Sequence, residues 1–180
     1  MSIKEEKKKI RDIVKEKKKE YSLEKKIEIS KKIMSSLSTK DYFQKSKTIA
    51  FYWSMPDEVF THDFILSWYK EKRILLPCVE NDILLLREFM GMETMRKGEA
   101  FSILEPIGEV FNDIENIDLI LVPGIGFDKN GNRVGRGKGY YDKLLYNSKA
   151  IKVGVCFPFQ VFNSIPMEEF DIKMDHIIYK

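Results

Sequence analysis

Between residues 123 and 142 the chain reads Pro-Gly-Ile-Gly-Phe-Asp-Lys-Asn-Gly-Asn-Arg-Val-Gly-Arg-Gly-Lys-Gly-Tyr-Tyr-Asp, and six of its ten glycines fall there. Gly135-Arg-Gly-Lys-Gly139 interleaves side-chain-free positions with Arg136 and Lys138. Without a Cβ, successive backbone N–H groups can converge on an anion, and Arg or Lys adds charge-assisted bonds to phosphate oxygens. A helix predicted to start near Tyr140 turns its positive end to the same place. The pattern is a phosphate cradle by mechanism, although neither common glycine signature fits. The Walker pattern fails at Asn132 and Gly139, and the dinucleotide pattern fails at Tyr140. The competing reading is a flexible surface loop. Loops this long are uncommon without function or disorder, and Phe127, Val134, Tyr140 and Tyr141 argue against disorder. Asp142 closes the motif. A carboxylate beside phosphates suits a bridging Mg²⁺, which takes one or two carboxylates together with phosphates. It equally suits an ordinary acidic residue in a first helical turn. Asp171 and Asp175 are further oxygen donors, each also readable as a turn or cap residue.

The elements that must hold this loop follow from periodicity. Asp118-Leu-Ile-Leu-Val-Pro123 is apolar at four consecutive positions, as expected of a central strand covered on both faces. Strand-length runs also occur at Ile49–Trp53, Ile74–Val79, Ile83–Phe89 and Lys152–Phe157. Helical stretches alternate with them at Thr61–Lys72 and Tyr140–Asn147. The connection at 91–117 reads as irregular. Upstream, Ile3, Ile10, Ile13 and Val14 mark an amphipathic helix, and Ser22 looks like the N-cap of a second one through Leu37. The expected fold is a layered α/β domain over residues 1–180. It has a mostly parallel central sheet flanked by helices, an N-terminal helical pair within 1–38 and the glycine-rich loop. In such sheets ligands sit beyond the carboxyl ends of the strands, so the loop after Val122 is the place for a site.

Composition narrows the classes. At 180 residues with 43% hydrophobic content, one real core is expected. No run approaches the roughly 18 apolar residues of a membrane span, and the charged N-terminus has no apolar signal region. Cys78 and Cys156 show no metal spacing, and two buried thiols in a reducing cytoplasm is the preferred reading. Residues 1–32 carry 13 Lys and Arg against 7 Asp and Glu, whereas the remainder carries 18 against 21. A basic element on a slightly acidic body suggests a phosphorylated small molecule or a polyanion, or simply a solvated helix face.

The sequence resembles the 5-formyltetrahydrofolate cyclo-ligase family. The likeness rests on Asp118 to Asp128, Gly131 to Asp142, Val153-Gly-Val155, Gln160, Ile165-Pro166, Asp171 and Asp175. Upstream it includes Lys7-x-x-x-Arg11, Ser54-Met-Pro-Asp-Glu-Val59 and Glu105-Pro106. The resemblance implies ATP-driven ring closure of 5-formyltetrahydrofolate to 5,10-methenyltetrahydrofolate, with Mg²⁺ required and ADP and phosphate released. It implies that Lys7 and Arg11 meet the triphosphate, together with Arg133, Val134, Gly135, Arg136, Gly137, Lys138, Gly139, Tyr140 and Tyr141. Trp53 and Glu58 would face the folate, as would the loop from Arg136 to Tyr140. Arg136, Lys138 and Tyr140 are the catalytic candidates, and Asp142 and Asp175 the magnesium ligands. Trp53 also reads as a core aromatic. The family often has Leu where Val134 stands, and Gly or Met where Lys138 stands.

The expected partners are ATP and the folate, with no nucleic acid or membrane, and the expected state is a monomer. The alternatives are a nucleic-acid-binding module using the basic helix and the Arg-Gly-Lys-Gly loop, and a non-catalytic nucleotide sensor. His62 and His176 read as surface or packing residues. Met90, Met92 and Met95 read as core or loop filler.

Overall fold

Ser2 and Ser22 each begin a helix. In the computed structural model, which describes residues 2–98 and 103–180, helix α1 (Ile3–Lys19) starts with a reciprocal cap. Glu5 N–H donates to Ser2 Oγ at 3.3 Å, and Ser2 N–H donates to the Glu5 carboxylate at 2.8 Å. Ser22 Oγ accepts from Lys25 N–H at 3.2 Å and caps α2 (Leu23–Ser38). Both helices reach the main core, α1 through Val14, but α1 also serves a second cluster. Ile33, Met34 and Leu37 of α2 are buried in the main core, whereas Ile10 of α1 packs with Val134 and Ile165. A short α3 (Asp41–Lys45) then leads into the sheet.

That sheet is built from β1 (Thr48–Ala50), β2 (Arg73–Glu80), β3 (Ile83–Glu88), β6 (Leu119–Val122), β9 (Ile151–Val155) and β11 (His176–Ile178). Helix α4 (His62–Trp68) connects β1 to β2. The strands β4 (Met95–Lys97) and β5 (Leu104–Pro106) form a separate antiparallel ladder between β3 and β6. The strand order is β11-β9-β6-β1-β2-β3, parallel throughout except for β3, which returns antiparallel to β2. The hairpin between them turns on Asn81 and Asp82, at φ 49° and 58°. Two consecutive left-handed residues match the twist of the strands they join. Side chains alternate between two cores. Ile49, Ile74, Leu76, Leu119, Leu121 and Val153 face α2 and α4. Ala50, Leu75, Ile120 and Val122 face the other side, with Leu145 of α5 (Tyr140–Tyr146). Burial on both faces is why Leu119–Val122 is apolar without alternation.

Several expected boundaries shift. The first strand ends its ladder at Ala50 rather than Trp53. Phe51 N–H still donates to Leu75 O at 2.9 Å, but Tyr52 and Trp53 run out over the sheet's end. The helix expected to Lys72 stops at Trp68, where the N–H groups of Glu71 and Lys72 both turn back to Trp68 O at 2.9 Å. The irregular connection holds short 3₁₀ turns at Met92–Thr94 and Ile114–Asn116, with β4 and β5 between them. Residues 99–102 of that connection lie outside the described residues.

A second, three-stranded sheet carries the glycine-rich segment, in the order β10 (Val161–Phe162), β7 (Gly126–Asp128), β8 (Arg133–Val134). The buried Asp128 carboxylate organises its turn. It accepts from the N–H groups of Asn130, Asn132 and Ile165 at 2.9, 3.0 and 2.8 Å, and from Asn132 Nδ2 at 2.9 Å. Gly131 takes φ +83°, and a Cβ there would stand 2.3 Å from Met174 O. Only glycine fits this turn.

Candidate active site

Strand β1 sends its crossover one way, to β2, while β6, β9 and β11 extend the sheet the other way. The β1/β6 junction is therefore a topological switch point, where a crevice opens beyond the strand ends. A cavity of about 420 Å³ lies there. Tyr52 and Trp53 line it after β1, and Pro123 and Gly124 after β6. The β2–β3 hairpin contributes Pro77, Val79 and Leu84 to its wall.

Helix α1 runs along this cavity and contributes Lys4, Lys7 and Arg11, spaced to share a face. The Lys7 ammonium is buried and ion-paired with Glu168 at 2.8 Å and with Asp171. Burial by itself lowers its pKa, but the bonds to the two carboxylates outweigh that and raise it. One turn on, Arg11 Nε donates to Gly135 O at 2.8 Å and ties the helix to the glycine-rich loop. Further along, Lys18 pairs with Asp57 at 2.7 Å.

The loop itself faces the segment after β1. Arg136 donates to Asp57 Oδ1 at 2.8 Å and to Glu58 Oε1 at 3.0 Å. Glu58 Oε2 accepts from Met55 N–H at 2.9 Å. Desolvation raises the Glu58 carboxyl above the ordinary glutamate value, despite Arg136. Burial pushes Asp57 the same way, but Lys18 and Arg136 outweigh it and its pKa falls. Gly137 and Gly139 adopt φ +101° and +69°, and Gly139 is the N-cap of α5. Nothing within 4 Å would meet a Cβ at Gly139, so its requirement is conformational rather than steric.

Arg133, buried on β8, donates to Pro123 O at 3.1 Å and to Asp142 Oδ2 at 2.9 Å. Ile172 N–H approaches Asp142 Oδ1 at 3.4 Å. Tyr140 Oη donates to Asp82 Oδ1 at 3.1 Å and links the start of α5 to the hairpin tip. Burial raises the Tyr141 phenol. Trp53 stacks on His62 with ring centroids 3.9 Å apart, and His62 Nε2 lies 3.0 Å from Ser54 O. A hard carboxylate at Asp142, on the wall of a cavity lined by cations, fits one protein ligand of a Mg²⁺ whose other ligands are phosphate and water. Among the described residues no cluster of three or more His, Cys, Asp or Glu side chains could hold a metal alone.

The comparisons with known proteins agree with this architecture. The model of the 5-formyltetrahydrofolate cyclo-ligase family matches residues 3–180. The chain belongs to that family. It is 33% identical over 156 residues to the 5-formyltetrahydrofolate cyclo-ligase of Mus musculus, covering 77% of this chain and 75% of the relative. To that of Haemophilus influenzae it is 32% identical over 144 residues, covering 75% and 76%. The solved 5,10-methenyltetrahydrofolate synthetase of Aquifex aeolicus superposes with a TM-score of 0.86 at 38% identity, over 96% of this chain and 89% of that one. The Mycoplasma pneumoniae synthetase gives 0.77 at 26% identity, over 96% and 97%.

The structure gathers most of the expected residues around one cavity. Lys7, Arg11, Trp53, Glu58, Arg133, Gly135 to Asp142 without exception, the oxygen-donor candidate Asp171, and the unexpected Glu168 and Phe170 all line it. Val134 does not; it is fully buried behind the loop, against Ile10 and Ile165. Asp175 is a correction. Its carboxylate accepts from Lys152 N–H at 2.7 Å, at the amino ends of β9 and β11, whereas the cavity lies beyond the carboxyl ends. The structure therefore does not bring it to Asp142. Asp57 and Glu168 were not singled out from sequence, because nothing local distinguishes them from other surface carboxylates. Their partners are 79 and 161 positions away.

Proposed function

We propose that this chain catalyses the ATP-dependent closure of 5-formyltetrahydrofolate to 5,10-methenyltetrahydrofolate, releasing ADP and phosphate. The observation that carries the reading is the glycine-rich loop. It is fastened on one side to the basic face of α1 through Arg11–Gly135, and on the other to Glu58 through Arg136. One preorganised loop thus touches a polycationic half and an apolar, carboxylate-bearing half of the same cavity.

The chemistry explains why both halves are needed. Ring closure expels the formyl oxygen, and hydroxide is a poor leaving group. Transfer of the γ-phosphoryl to that oxygen breaks the β–γ P–O bond and makes phosphate the leaving group. N10 then attacks the activated formyl carbon and gives up its proton to solvent, the C–O bond breaks with phosphate leaving, and the methenyl bridge forms. The protein's part is positioning and charge stabilisation. Lys7 and Arg11 hold phosphate oxygens, and the incoming triphosphate displaces Glu168 and Asp171 from Lys7. Arg136, released from Asp57, donates to the oxygens of the transferring group, with Lys138 at the same mouth of the cavity. Glu58 accepts from ring N–H groups of the folate, and Trp53, already stacked on His62, offers an aromatic wall. Asp142 would hold a Mg²⁺, which when bound neutralises charge between the phosphates.

No helix among the described residues is long and apolar enough to cross a membrane. Cys78 and Cys156 are buried free thiols, which suits a reducing cytoplasm. The test is direct. Purified protein mixed with 5-formyltetrahydrofolate, Mg²⁺ and ATP should develop the absorbance of the methenyl product. Omitting ATP should abolish it, and an ATP-independent signal or none at all rejects the reading.

A further inference from the structure

Phe170 lines the cavity, yet 63% of its surface is exposed. Its position is built rather than loose. Asp171 N–H donates to Glu168 O at 3.1 Å, and Glu168 N–H donates back to Asp171 Oδ2 at 2.7 Å, closing a turn with Phe170 inside it. Both carboxylates of that turn are anchored on Lys7, and the next residue, Ile172, donates to Asp142. A large apolar side chain thus projects from an anchored turn, beside the basic face of α1.

Helix α1 serves as a ruler for what belongs there. Lys7 marks the turn that carries Phe170, Arg11 marks Gly135, and Lys18 marks Asp57, the neighbour of Glu58. At 1.5 Å per residue, Lys7 and Lys18 are about 16 Å apart along the axis. The loop from Gly135 to Gly139 lies between these ends. Phosphoryl transfer needs the γ-phosphate and the formyl oxygen to meet in that middle. The folate then extends toward Glu58 and Trp53, and the nucleoside extends the other way, past Lys7. At that end the described lining is Lys4, Lys7, Glu168, Phe170 and Asp171, and Phe170 is its aromatic member. Tyr140, the loop's half-buried aromatic, is tied away toward the hairpin through Asp82.

We propose that Phe170 is the platform on which the purine base of the nucleotide stacks. The proposal rests on the reading that this cavity binds ATP. It adds the direction in which the nucleotide lies and the residue that takes its base. The turn thereby carries two functions on adjacent residues: carboxylates that release Lys7 to the phosphates, and a ring that receives the base.

Calorimetric titration of the full chain with ADP and with pyrophosphate, each with Mg²⁺, tests it. Pyrophosphate reports the cation cluster, and ADP reports the cluster plus the base. Phe170→Ala should weaken ADP by about tenfold, within the range for one lost base–aromatic stack. It should leave pyrophosphate within roughly twofold of wild type, and Phe170→Trp should restore ADP. Unchanged ADP binding in Phe170→Ala overturns the proposal. So does an equal loss of ADP and pyrophosphate, which would mean that the ring only supports the Lys7 turn. A weak Phe170→Trp variant also overturns stacking. Wild-type protein that binds neither ligand removes the nucleotide site itself, and that outcome is distinguished by its appearance before any substitution.

Discussion

Arg136 and Glu58 meet at 3.0 Å across the cavity, joining the glycine-rich loop to the segment that follows the first strand. Each residue is neutralised by the other, and Asp57 at 2.8 Å shares the guanidinium. Catalysis as proposed requires this contact to be exchanged for substrate. Arg136→Ala should therefore lower kcat by about a hundredfold or more, the usual cost of one preorganised donor to developing charge. Methenyl absorbance under saturating ATP and folate measures it, and an unchanged turnover would remove Arg136 from the chemistry.

Glu58→Gln separates binding from stability. The folate KM should rise by about tenfold, as for loss of one charge-assisted hydrogen bond, with a smaller change for ATP. Stability should move the other way. Desolvation raises the Glu58 pKa in the folded protein, so the folded state binds this proton more tightly than the unfolded state. Unfolding free energy then falls as pH rises from the ordinary glutamate value through the folded value. The variant, lacking that titration, should be at least as stable as wild type at neutral pH. The difference should shrink toward acid pH, where both forms are uncharged. Denaturant melts across that range would show the trend, and a variant losing stability most at neutral pH would contradict it.

Asp142 and Asp175 are distinguished by a metal titration. Asp142→Asn should require more Mg²⁺ for half-maximal rate. Asp175→Asn should leave the magnesium curve in place and lower thermal stability slightly, since the acceptor for Lys152 N–H loses its charge and the ion pair to Lys152 Nζ is lost. A shifted magnesium curve in Asp175→Asn would restore it as a ligand and contradict its position at the far end of the sheet.

Lys7→Met leaves Glu168 and Asp171 without their cation. Breaking a fully buried pair costs about 3–5 kcal/mol, but Glu168 is one-third exposed and solvent relieves part of that, so a loss of about 2 kcal/mol is expected. Because the folded pKa of Lys7 is raised, its stabilisation is complete below the ordinary lysine value and disappears only as pH rises through the folded value. At neutral pH the full loss should appear in denaturant melts, together with a raised KM for ATP and little change for folate. Equal effects on both substrates would place Lys7 outside the nucleotide half.

The sequence made the large sheet legible where burial leaves a strong trace. Leu119–Val122 is apolar at every position because both its faces are covered, and β6 has the expected bounds. The small sheet left no such trace. Its strands are two or three residues long, too short for alternation to register, and Gly126–Asp128 is wholly buried although it includes a carboxylate. Asp128 looked like a turn former, and so it is, but its hold on Ile165 could not be read from the local pattern. The site showed the same division. Arg136 and Asp142 stand inside a motif whose composition is unusual, so they were visible. His62 reads from sequence as a surface or packing residue, and in the structure it packs on the face of Trp53 at the cavity wall. Asp175 was carried by motif order alone, which says nothing about which end of a parallel strand a residue occupies.

The bond between Lys7 and Asp171 joins positions 164 residues apart. On a ribosome helix α1 must wait for about 160 further residues before its lysine can find that turn. Contacts of such long range form late, because the intervening loop must be closed first. A nascent chain stalled before residue 168 would therefore carry every glycine of the loop and still have no finished pocket. Competence arrives only once the turn from Glu168 to Asp171 has itself been translated.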